Sequence, residues 1–158
     1  MSLSFGSILF NQGGASVAQT FTTTPALLTA FSTGGTVDSQ DFGDLSVTPV
    51  SGSDHIKVKV GGTYLVLFDA AFETADTGKY TMQLYADDAI KSNLAGRFTG
   101  TGSAAAHHCG FHGIYKATDD DDTDDDGFVE LSIYGSSGSV AGITAFPNTC
   151  QLSAIRVD

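Results

Sequence analysis

A chain of 158 residues with eighteen Asp plus Glu against seven Lys plus Arg carries a net charge of −11. That charge repels phosphate backbones and anionic lipid, which argues against nucleic acid or a membrane as a direct partner. Nineteen glycines, abundant Thr and Ser, eleven Phe and no Trp argue against long helices, which would want more Leu, Glu, Lys and Ala, and favour short strands with tight turns.

The opening stretch, MSLSFGSILF, has neither a basic leader nor a long apolar core, so no export signal is expected. No run reaches the roughly 18 apolar residues of a membrane-spanning helix. SILFNQGG and SVAQTFTT suit early strands. PALLTAF, Pro25 to Phe31, could form a helical turn, although the neighbouring threonines and the glycine pair at 34 and 35 suit a strand or loop at least as well. In IKVKV, Ile56, Val58 and Val60 oppose Lys57 and Lys59, the alternation of a half-buried strand. TYLVLFDAAF, Thr63 to Phe72, is apolar on both faces, so it should be a central strand covered on both sides. YTMQLY alternates again, as does FVELSIY, where Val129, Leu131 and Ile133 oppose Glu130 and Ser132. Turn signals at Gly61 and Gly62, Asp76 to Gly78, Asp87 and Asp88, and Gly135 to Ser139 separate these runs at the spacing of an all-β sandwich or barrel. There is no internal repeat or linker. Residues 1–40 are expected to supply first strands and a docking segment of the same domain whose body is 41–158.

The succession IKVKVGGTYLVLFDAAF, YTMQLYADDAIKSN, HHCGFHGIYKA, GFVELSIYG and the closing TCQLSAIRVD resembles the trimeric jelly-roll superfamily of tumour necrosis factor and the globular heads of complement and collagen-like proteins. The resemblance covers residues 55 to 158 and implies an all-β, two-sheet antiparallel jelly-roll sandwich that forms homotrimers. The sheet carrying Tyr64 to Phe72, His107 to Tyr115 and Cys150 to Val157 would line the threefold axis, with Tyr64, Val66, Phe68, His108, His112 and Leu152 as interface residues. In that sheet order Cys109 and Cys150 lie on strands separated by the apolar central one, which leaves them too far apart for a disulfide. An acidic run stands where many relatives have a short Gly-Asp turn.

HHCGFH, residues 107 to 112, concentrates three of the four histidines. On a strand, His107, Cys109 and Phe111 share one face and His108, Gly110 and His112 the other. His108 and His112 are then about 13 Å apart, too far for one zinc ion, and His107 and Cys109 are too far apart for a nucleophile and its base. Core burial of Cys109 and Phe111 with rim or interface histidines is the simplest reading. Three copies of one histidine at a threefold axis could also bind a metal or an anion, or act as a pH switch.

No G-x-S-x-G elbow and no phosphate-cradling G-x-x-x-x-G-K-[ST] is present. Asp69 and Glu73 could pair as glycosidase carboxylates, but their place on one strand face suits a strand end better, and no enzymatic activity is expected. In DDDDTDDD, Asp119 to Asp126, the residues Asp122, Asp124 and Asp126 followed by Gly127 match the first half of a calcium loop, whereas position twelve is Ile133 and lacks the bidentate carboxylate. Calcium on these three is one expectation and a solvated, mobile loop the other.

The function expected is a homotrimeric decoration (cement) or fibre-head protein on a virion surface, that of a tailed bacteriophage, docked on a major capsid or other virion protein through Leu3, Phe5, Ile8, Leu9 and Phe10. The alternative is a glycan- or receptor-binding attachment module using Asp87, Asp88, Lys91 and Asn93.

Overall fold

Alternating apolar residues become strands throughout the chain. The computed structural model describes residues 4–10, 16–30, 35–41, 46–50, 54–102 and 105–158, with the side chains of all of these except Phe10, 35–41, Ser92, Pro147 and Asn148. The strands among the described residues are β1 (Ser4–Phe10), β2 (Val17–Phe21), β3 (Ala26–Leu27), β4 (Gly35–Asp41), β5 (Val47–Pro49), β6 (His55–Lys59), β7 (Thr63–Thr74), β8 (Lys79–Ala86), β9 (Ala89–Thr99), β10 (His107–Lys116), β11 (Phe128–Ser137) and β12 (Ala141–Arg156).

They form two antiparallel sheets. The first runs β10-β7-β12-β1-β4, with β2 also on β12; the second runs β5-β6-β11-β8-β9, with β3 also on β11. The sequence expectation of a two-sheet jelly-roll sandwich is thus met. PALLTAF contributes the short β3 rather than a helical turn.

The core lies between the sheets, filled by residues of one parity from each strand. β7 supplies Tyr64, Val66, Phe68, Ala70 and Phe72, facing Tyr80, Met82 and Leu84 of β8 and Val129, Leu131 and Ile133 of β11. Buried tyrosines require partners for their hydroxyls. Tyr64 donates to the Lys59 carbonyl at 2.8 Å and Tyr80 to the Gly142 carbonyl at 3.2 Å. Phe98 of β9 stacks on Tyr80 with ring centroids 4.8 Å apart, closing the gap between the sheets at that edge.

β8 and β9 are joined by the two residues Asp87 and Asp88, with φ of 43° and 63°. Two successive positive φ values make the hairpin turn that matches strand twist, and short polar side chains tolerate it best after glycine. In the first sheet, Cys109 and Cys150 both pair with Ala70, from its two sides. Two strand spacings of about 4.8 Å each keep the sulfurs beyond disulfide reach, and both thiols are free and buried.

Candidate functional site

The side of the first sheet that faces away from the core leaves a contiguous set of apolar residues uncovered; among the described residues Ile90 of β9, Val140 and Val157 are the other large apolar side chains left exposed. Backbone register places Ile114, Leu65, Ile155 and Phe5 in one row across β10, β7, β12 and β1. Ile114 is 55% exposed, Leu67 in the next row is 36% exposed, and Leu65, Ile155 and Phe5 are half-buried. The next row runs His112, Leu67, Ser153 and Ser7, where Gln151 Nε2 and the Ser153 hydroxyl both donate to Ser7 Oγ. Phe5, Leu67, Asp69, Gln151 and Ser153 enclose a shallow cavity of about 310 Å³. Thus β7 is apolar on both faces, as its sequence shows, yet within one subunit only one face is covered.

The structure corrects the interface residues expected from sequence. Tyr64, Val66 and Leu152 are fully buried and Phe68 is 2% exposed, all four on the core side. A strand's side chains alternate with period two, so the residues presented outward are their neighbours Leu65, Leu67, Ser153 and Ile155. His108 and His112 are exposed on the outer face, while Cys109 is buried and Phe111 packs against Phe68 at 5.4 Å. Asp69 sits opposite Gly110, between the two histidines in register; it is exposed, and Glu73, further along the same face, is half-buried.

The expected docking segment is corrected as well. β1 pairs with β12 on one side and β4 on the other. It is an interior strand of the sheet and cannot act as a free arm. Ile8 is fully buried in the core, whereas Phe5 and Leu9 belong to the outer face. Leu3 and the side chain of Phe10 lie outside the described residues.

The acidic run is held by its own carboxylates. Asp119–Asp121 form one 3-10 turn in which the Thr118 hydroxyl donates to Asp121 Oδ2 at 2.9 Å. Asp121 also accepts from Tyr115 at 2.9 Å and is ion-paired with Lys91. Burial pushes the Asp121 carboxyl up, but the bonds from Lys91, Tyr115 and Thr118 outweigh it and hold the group below its ordinary range. Burial, then the bond to Asp121, raises the Tyr115 phenol. Asp122 accepts from the backbone N–H of Asp126 and Gly127, and Asp126 accepts from the N–H of Phe128.

Of the three calcium candidates, Asp122 and Asp124 come together with Asp87, their carboxylate oxygens within 4.8 Å of one another. Asp126 is turned away, ion-paired to Lys57 at 2.8 Å. Sequence spacing missed Asp87 because it lies on another hairpin. Its carboxylate reaches across to the N–H of Thr123 at 2.9 Å and of Glu130 at 2.5 Å. Of the polar groups expected to recognise glycans, Asp88 accepts from Tyr134, Lys91 is spent on Asp121, and Asn93 is exposed.

No protein-family model matches the chain, and no curated protein does. Solved structures do. The Eiger tumour necrosis factor of S. frugiperda aligns over 100% of this chain and 94% of its own with a TM-score of 0.64 at 13% identity. Murine APRIL crystallised at pH 5.0 aligns over 98% of this chain and 99% of its own, TM-score 0.55 and 11% identity. Its pH 8.0 form covers the same shares with a TM-score of 0.54 and 9% identity. At such identities the likeness is one of fold, and the fold is the tumour necrosis factor-like jelly roll across the whole chain.

Proposed function

Starting from a tumour necrosis factor-like jelly roll with one sheet face left apolar, we propose that the protein is a non-enzymatic structural component that works as a homotrimer. In this reading it decorates the exterior of a virion, that of a tailed bacteriophage, as a cement or fibre-head protein seated on the major capsid protein or another virion protein. The observation that carries the assembly is the row Ile114, Leu65, Ile155 and Phe5 with Leu67 beside it. Contiguous apolar surface of this kind marks an interaction site. A second and third copy of this chain suit it because the row Ile114, Leu65, Ile155 and Phe5 carries no acidic residue, so self-association across that row buries no like charges. The net charge of −11 elsewhere keeps a densely displayed subunit soluble.

Since β1 is an interior strand, docking on a shell falls to surfaces left free by the trimer, and deleting residues 2–12 would unfold the subunit instead of releasing it. Light scattering on the pure protein tests the assembly: a mass of three subunits supports it and a monomer at micromolar concentration overturns it. Co-sedimentation of the trimer with assembled phage shells tests the decoration role, and a trimer that stays in the supernatant with every shell tried rejects that role.

A further inference from the structure

The opposite flank of the sandwich carries a second feature, independent of assembly. Near one end of the second sheet, a cavity of about 490 Å³ opens on the outer face and is lined by Lys79, Thr81, Arg97, Thr99, Ser136 and Thr23 among others. Register explains the cluster. Ser136, Thr81 and Arg97 form one row across β11, β8 and β9, and Lys79 with Thr99 forms the next. Lys79 and Arg97 are therefore diagonal neighbours, their Cα atoms roughly 7–8 Å apart. Both are exposed, alternating with buried Tyr80 and Met82 on β8 and half-buried Phe98 on β9.

Two cations in adjacent positions repel each other, and a net charge of −11 supplies carboxylates that could relieve them. Among the described residues three of the other five basic residues, Lys57, Lys91 and Arg156, each meet an acid, while the isolated Lys59 and Lys116 do not. Among the described residues neither Lys79 nor Arg97 does, and no carboxylate lines the cavity. The place of the missing counter-charge is ringed by hydroxyls on three strands and a loop. Such an arrangement takes one anionic group on the Lys79 and Arg97 cations, Arg as a bidentate donor, and hydroxyl groups on the rim. A bare inorganic anion would engage the cations and leave the hydroxyl rim unused, whereas the volume falls within the roughly 300–1,000 Å³ of small-molecule sites.

We propose that this cavity binds an acidic saccharide, its carboxylate or sulfate held between Lys79 and Arg97 and its hydroxyls by Thr81, Thr99, Ser136 and Thr23. The site lies on the flank opposite the apolar row, so it stays open whether the subunit is alone or assembled.

The test uses the intact protein and four probes at near-physiological salt: glucuronate, glucose 6-sulfate, glucose and inorganic sulfate, each titrated by NMR or calorimetry. Expected is saturable binding of glucuronate or glucose 6-sulfate at least ten times tighter than glucose or inorganic sulfate; which of the two wins identifies the anionic group. Arg97→Gln and Lys79→Gln should each weaken binding ten-fold or more, while Lys116→Gln, on another strand, leaves it unchanged. Because both cations are exposed, the two variants should fold, and removing the repulsion should leave the unliganded melting temperature equal or slightly raised. Sulfate binding as tightly as the sugars would mean an adventitious ion only and overturn the proposal, as would no binding of either acidic sugar or binding that survives Arg97→Gln.

Discussion

Replacing Ile114 by serine should weaken the proposed trimer while leaving the subunit intact. Fully burying an isoleucine is worth about 1.5–3 kcal/mol, and Ile114 retains 55% of its exposure in the isolated subunit. Covering the remainder in an assembly therefore contributes roughly 1–1.5 kcal/mol per copy, or about 3–4.5 kcal/mol over three symmetric copies. Two to three powers of ten in the trimer dissociation constant follow. The concentration of half-dissociation varies as the square root of that constant, so it rises about ten- to thirty-fold. Size exclusion with light scattering over a dilution series reads this directly. Denaturant unfolding of the dissociated subunit should shift by no more than about 0.5 kcal/mol, the usual ceiling for an exposed site. Val140 is 73% exposed in the turn before β12, and Val140→Ser removes similar apolar area without touching the row. An Ile114→Ser dilution curve that overlays the wild type, or a Val140→Ser change as large, would refute the placement of the interface.

Three further outcomes concern the subunit, and one the acidic loop. A methyl group at Gly135 would stand about 2.7 Å from ring carbons of fully buried Phe21, so Gly135→Ala should cost about 1–3 kcal/mol in urea unfolding. Asp121→Asn should cost about 1–3 kcal/mol at neutral pH. Since the folded Asp121 carboxyl sits below its ordinary value, its contribution is complete above about pH 4 and fades as pH falls through the folded value, so variant and wild-type stabilities should converge in acid. Burial raises the Cys109 thiol to about 12 and the Cys150 thiol to about 11; a colorimetric thiol reagent at pH 8 should find neither in the native protein and both in guanidinium. Millimolar calcium should raise the unfolding temperature if Asp87, Asp122 and Asp124 hold it, and Asp87→Asn should abolish the rise; superimposable melting curves with calcium and with chelator would remove the ion from these residues.

Strand positions were legible because period-two alternation is a local property. Ile56, Val58 and Val60 against two lysines, or Val129, Leu131 and Ile133 against Glu130, leave one assignment of faces, and the hairpin at Asp87 and Asp88 needs a residue pair that tolerates positive φ. β7 gives the same method less to work with. Tyr64, Val66 and Phe68 are no more apolar than Leu65 and Leu67, and only Asp69 and Glu73, on the parity of the leucines, mark that set as the outer one. What packs opposite agrees: Tyr64 finds the Lys59 carbonyl and Phe68 finds Phe111, both inside the sandwich. HHCGFHGI did contain a signal, because His108, His112 and Ile114 share the parity opposite buried Cys109. Pairing Ile114 with Leu65 then orients β7. Asp87 left no local trace, since it meets Thr123 across 36 residues of chain.

Both outer faces follow from one constraint. A two-layer sandwich consumes one parity of each strand, and the other parity is free to carry function. On the first sheet that free parity is apolar across four strands, a pattern that lowers solubility unless it is covered. On the second sheet it is mostly polar, with the carboxylates of Asp87, Asp88 and Glu130 at one end, Lys79 and Arg97 at the other, and Ile90 as the large exposed apolar exception. A single buried core therefore supports two surfaces of opposite character, back to back. Substitutions such as Ile114→Ser and Arg97→Gln should consequently act independently: the first should change assembly and leave saccharide binding per subunit intact, the second the reverse. Their separation by the full thickness of the sandwich predicts additivity. Loss of sugar binding on dissociation would show instead that neighbouring copies complete the cavity.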